Sequence, residues 1–172
     1  MDSFQVLRKR LSELSKEGVL DYVEMVYKNL WTLQNNWMVE TEKRYGHETA
    51  TDFDIICFGR EMEVAVYRLR KSEGLGDDIP ALIKAFELTL IEEPGTERDL
   101  IQVNDNKMIY RVTKCAMQLA RRERGAPELP CKPAQIGCLE RMAKAVNPKF
   151  EVLRSMAPPD KHPEDLWCEA EI

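Results

Sequence analysis

Leu100-Ile101-Gln102-Val103-Asn104-Asp105-Asn106-Lys107-Met108-Ile109-Tyr110-Arg111-Val112 is where the chain changes its period. Two short apolar runs, Leu100 to Val103 and Met108 to Val112, flank Asn104-Asp105-Asn106-Lys107, whose short polar side chains suit a tight reversal. Met108, Tyr110 and Val112 alternate with Ile109, Arg111 and Thr113, so one set faces a core and the other does not. Everything before this hairpin recurs at helical spacing. The fold class that follows is α+β: a helical N-terminal half packed on a four-stranded antiparallel sheet with interposed helices. The expected organisation is a single domain, 1–172, with a helical half over 1–95 and a mixed half over 96–172 sharing its core.

Upstream of the hairpin, Phe4, Leu7, Leu11 and Leu14 predict a helix over 3–15 with Ser3 as its N-cap, interrupted at Gly18. From Val19 the stripe Val19, Tyr22, Val23, Val26, Leu30, Leu33, Trp37 keeps a rhythm of three and four until Gly46. A third helix is expected to start after Thr51-Asp52 and run to about Ser72, with Cys57 inside its apolar run and His47 exposed at the break. Asp78 can cap a short helix from Pro80 to about Leu88, and Glu92-Glu93-Pro94-Gly95 closes the helical half.

Downstream, residues 116–124 favour a helix, and Gly125 to Pro133 is a loop carrying Cys131. Gln135 to Val146 reads as another helix with Cys138 packed in it, ended by Asn147-Pro148. Phe150 to Met156 alternates as a strand. Pro158-Pro159-Asp160 opens a turn that delivers His162 into a last strand, where Leu166, Cys168, Ala170 and Ile172 share one face and Trp167, Glu169 and Glu171 the other.

The 172 residues are 44% apolar with a net charge of −5, which supplies a core and argues against tracking nucleic-acid phosphates or an anionic membrane surface. The sequence shows no signal pattern and no apolar run approaching the ~18 residues of a membrane span, so a cytoplasmic, soluble protein is expected. Homodimerisation is left open. Five cysteines without framework spacing are expected to be thiols, metal ligands or catalytic groups rather than disulfides.

Four of these side chains are the candidate centre. Cys115 lies where a strand meets a helix, Cys131 between Pro130 and Lys132, His162 in the proline turn and Cys168 on the last strand. Thiolate and imidazole ligands held on separate rigid elements can form a tetrahedral zinc site, or hold iron where a position stays open. The spacing itself matches no zinc-finger pattern, and a packing role for each cysteine is the competing reading. Glu40 is the candidate general base, three residues from the aromatic Trp37 as a pocket wall; Gln118 and Arg122 are candidates to bind a substrate carboxylate.

The motifs Asn29-Leu30-Trp31, Trp37 to Glu40, Cys115 with Gln118 and Arg121, Pro130-Cys131-Lys132, and Pro158-Pro159-Asp160 to Trp167-Cys168 carry a resemblance. From about residue 25 onward the chain resembles the L-2-amino-thiazoline-4-carboxylic acid hydrolase-like proteins, and most of all an uncharacterised bacterial and archaeal branch related to them. The resemblance implies a cytoplasmic α+β protein with a ligand pocket between helices and sheet, and Cys115, Cys131 and Cys168 as recurrent cysteines. Hydrolase members add water across the C=N bond of a cyclic thiazoline amino acid. The chain departs where Ala157 stands in place of a further cysteine before Pro-Pro-Asp. Three functions remain in view: a metal- or thiol-assisted hydrolase of a cyclic C–N bond, a non-catalytic ligand-sensing domain with a Cys/His cluster, or a structural subunit with a buried thiol cluster.

Overall fold

The computed structural model describes residues 2–89 and 93–172. In chain order it contains α1 (Ser3–Ser12), α2 (Lys16–Tyr45), α3 (His47–Glu73), α4 (Ile79–Thr89), β1 (Glu97–Asn104), β2 (Lys107–Lys114), α5 (Ala116–Glu123), α6 (Lys132–Val146), β3 (Arg154–Met156) and β4 (Cys168–Glu171). The four strands form one antiparallel sheet in the order β1-β2-β4-β3. The fold is therefore α+β, as the change of period predicts. The chain divides into two units, residues up to Trp37 and Met38–Ile172, and the division falls inside α2.

The core belongs to the second unit. On β2 the burial alternates strictly, with Met108, Tyr110 and Val112 inside, which is what a period of 2 on a half-buried strand requires. Ala170 and Ile172 extend that face beyond β2, and α4 covers it with Ile79, Leu82, Ala85 and Phe86. Met62 and Val66 of α3 and Leu139, Met142, Ala143 and Val146 of α6 complete the cluster. Each fully buried Leu, Ile or Phe here contributes about 1.5–3 kcal/mol. The other sheet face is charged: Arg111 on β2 pairs at 2.6 Å with Glu169, its register partner on β4, and Arg154 of β3 reaches the same carboxylate at 2.8 Å.

Local chemistry sets the element ends. Asp78 accepts from Ala81 N at 2.9 Å and caps α4 as expected. Asn104 accepts from Asn106 N at 2.9 Å inside the hairpin turn. Gly46 adopts φ 86°, a left-handed conformation that only glycine takes without strain, and so separates α2 from α3.

Several boundaries differ from the sequence expectation. Asp2, not Ser3, caps α1 by accepting from Phe4 N and Gln5 N. The break after α1 lies at residues 13–15, and Gly18 is already inside α2. Gly46 starts α3 directly, with Ala50 N donating to its carbonyl, so Thr51 is a buried residue of the helix rather than its cap. Cys131 occupies the N-cap of α6, which begins three residues earlier than expected. The penultimate strand is only Arg154–Met156. Of Glu92-Glu93-Pro94-Gly95, Glu92 lies outside the described residues, while Glu93 accepts from Thr96 N at 2.9 Å to close a turn. Cys57 is exposed instead of core. Trp167 joins the core cluster instead of the Glu169–Glu171 face, because the ladder starts only at Cys168.

Candidate functional site

Three features of the C-terminal half meet at one place: α5, the loop 124–131 and the proline turn 157–167. Gln118 organises them. Its side chain is 2% exposed, its amide Nε2 donates to the Leu129 carbonyl at 2.8 Å, and its Oε1 accepts from Leu129 N at 2.9 Å. Both halves of the amide are thereby spent on one backbone unit, and Nε2 also lies 3.6 Å from Cys131 Sγ. Gln118 holds a loop; it does not present its amide to a substrate carboxylate, as the sequence suggested. Arg121 adds a second tie, donating from Nε to the Pro127 carbonyl at 2.9 Å.

The loop fixed in this way carries Glu128. One of its oxygens lies 3.5 Å from Arg122 Nη2 and the other 3.4 Å from His162 Nε2. His162 comes from the proline turn, which is anchored separately: Lys132 N donates to the Pro158 carbonyl at 3.0 Å, and Lys132 Nζ meets Asp160 at 2.6 Å. That hydrogen bond holds the Asp160 carboxyl below the usual carboxylate range. The His162 side chain is 8% exposed. Its Nδ1 lies 2.9 Å from the Pro163 carbonyl.

Trp167 forms the floor. It is 3% exposed, with the His162 ring centred 5.0 Å away at 38° and the Arg122 guanidinium carbon 4.7 Å from its ring centroid. Cation–π attraction to an indole face, at about 0.5–1 kcal/mol for an accessible arginine, adds to the Glu128 pairing in fixing that guanidinium. One carboxylate, one guanidinium and one imidazole thus surround a single aromatic wall.

The expected four-ligand centre does not form. Among the described residues no three His, Cys, Asp or Glu side chains group so as to hold a metal ion. The reason is that the surroundings occupy the candidate ligands differently. His162 faces Glu128 and Trp167; Cys131 stands at the N-cap position of α6 with its sulfur beside the Gln118 amide; Cys115, at the N-cap position of α5, and Cys168 pack against the core cluster. All five cysteines are thiols. Burial pushes the Cys131 thiol up, Gln118 pulls it partly back, and Glu128 raises it further. A thiol held protonated is neither a ready nucleophile nor a ready ligand.

Glu40 stands elsewhere. Its side chain is 54% exposed and pairs with Lys43 at 2.8 Å and Arg44 at 4.0 Å, and the Lys43 hydrogen bond lowers its pKa. Trp37 is 42% exposed and falls in the other unit. The pocket wall and general base expected on α2 therefore lack the burial that would make them one.

Residues 10–172 match the model of DUF6125, a family of unknown function. The chain belongs to this family. The DUF6125 match takes in α5, the loop, the proline turn and β4, hence every residue of the cluster. Comparisons with curated proteins and with solved structures found no match. No helix among the described residues is long and apolar enough to cross a membrane.

Sequence reasoning singled out Arg122 for a substrate carboxylate and His162 and Cys131 as metal ligands, and it gave no site role to Glu128 or Trp167. The signal for Glu128 was present in Pro127-Glu128-Leu129-Pro130: two prolines fix the backbone around one charge on a loop, where recognition residues concentrate.

Proposed function

We propose that this protein binds a small carboxylate ligand at Arg122 and His162, on the Trp167 wall. The observation that carries this is Glu128, a carboxylate already seated between the guanidinium and the imidazole at 3.5 and 3.4 Å. Its side chain is half-exposed, so a ligand carboxylate can exchange with it without uncovering a buried charge. Arg122 offers the planar fork that suits a carboxylate, and its stacking on the buried Trp167 holds that fork in place.

A cyclic amino acid of the thiazoline type fits that description, in keeping with the resemblance of the motifs. The sharper form of the reading is hydrolysis, with water added across the C=N bond and the ring opened to a free thiol. The rival form is binding without turnover, with which the raised pKa of the buried Cys131 thiol is in keeping.

Calorimetric titration with a thiazoline-4-carboxylate tests the binding. Arg122→Ala is expected to weaken it at least tenfold, whereas Glu128→Gln, which removes the internal competitor, strengthens it. Equal affinity in wild type and Arg122→Ala, or no binding by either, sinks the reading. Appearance of a new thiol during incubation, measured with a chromogenic thiol reagent, separates hydrolysis from sensing.

A further inference from the structure

Among the described residues up to Trp37 no side chain is buried, yet ten large apolar ones are exposed there. A helix this long in water draws most of its stability from a covered apolar face. On α2 that face is regular. Val19, Val23, Val26, Leu30, Leu33 and Trp37 repeat at four and three residues, the a/d seam of a two-stranded coiled coil. Val23, Val26, Leu30 and Trp37 are 40–44% exposed and Leu33 is 68% exposed.

We infer that this seam is an interface with a second copy of the same chain. The charge pattern selects that occupant. The positions flanking the seam are Leu20, Tyr22, Tyr27, Asn29, Gln34 and Asn36, none of them charged, while Asp21, Glu24 and Lys28 lie on the far side of the helix. Flanking charges set partner choice in coiled coils, through attraction to a different chain or repulsion between like ones. Uncharged flanks leave two identical seams free to meet. The exposed seam residues Val23, Val26, Leu30, Leu33 and Trp37, with Leu20 flanking them, offer on the order of 400–500 Å² of apolar surface per copy, the scale of a small interface beside the ~800 Å² per partner of a standard one. The seam from Val19 to Trp37 is about 28 Å long at 1.5 Å per residue.

The test is the solution mass of the full chain and of Leu30→Glu/Leu33→Glu. Light scattering behind a sizing column is expected to give twice the 20.0 kDa chain mass for wild type and the single mass for the variant. Because the core lies in Met38–Ile172, slow amide exchange in β2 and α6 is retained in the variant, which shows that dissociation is not unfolding. Exchange in α2 rises in the variant and, for wild type, on dilution. A wild-type monomer at about 100 µM overturns the inference, whether its α2 amides are protected by other parts of the chain or not. So does a double variant that dimerises within tenfold of wild-type affinity.

Discussion

Gln118 shows how much one side chain can decide. It satisfies the N–H and C=O of Leu129 together, and buried backbone groups left without partners cost about 1–3 kcal/mol each. Gln118→Leu keeps the volume and removes both bonds. The expected result is a loss of about 2–4 kcal/mol in urea denaturation, together with proteolytic nicking of the 124–131 loop. A variant as stable as wild type would mean that water replaces the amide at no cost. None of this was legible in the sequence, since the partner is a backbone unit eleven residues away and carries no side-chain signature. Cys57 was misread for a related reason. In Ile55-Ile56-Cys57-Phe58 four consecutive apolar residues point in four directions around a helix, so some face out whatever their hydropathy.

At the scale of elements, what was legible was periodic. The hairpin, α4 and the alternation of β2 follow from spacing and turn chemistry within a dozen residues. What was not legible was contact between distant elements, and the crossing of α3 with α6 is the clearest case. A Cβ at Gly137 would lie 2.7 Å from Ile55 Cγ2, and one at Gly59 would lie 2.2 Å from Arg141 Cδ. The second clash is the shorter, yet it meets a flexible chain half-exposed to solvent that can swing away, giving up only its pairing with Glu63 at 3.2 Å. Ile55 Cγ2 sits on a β-branched carbon with one favoured rotamer in a helix, so it cannot yield without moving backbone. Alanine gains about 1 kcal/mol of helix propensity over glycine, and overpacking costs about 1–3 kcal/mol. Gly59→Ala is therefore expected to be neutral or stabilising, and Gly137→Ala destabilising by about 1 kcal/mol. Thermal unfolding of the two variants side by side decides it; a Gly137→Ala melting above wild type would show that the helices separate freely.

For the whole molecule, the core described by α3, α4, α6 and the sheet makes stability depend on pH in a specific direction. Cys138 lies in that core, and burial, with a contribution from Asp54 opposed by Arg141, pushes its thiol up to about 12 from the usual 9.0. In the unfolded chain the thiol ionises near its ordinary value. Below about pH 9 both states are protonated and the group has no effect; as pH rises toward 12 only the unfolded chain loses the proton, and stability falls. Between pH 8 and 10.5 the loss from this one group amounts to about 2 kcal/mol. Lysines and tyrosines also titrate in that range, so the informative quantity is a difference. Wild type is expected to lose about 2 kcal/mol more than Cys138→Val over this interval, measured by urea denaturation under reducing conditions at both pH values. Equal slopes would mean that the thiolate reaches water in the folded state, and that the packing of α6 against α3 opens at alkaline pH without global unfolding.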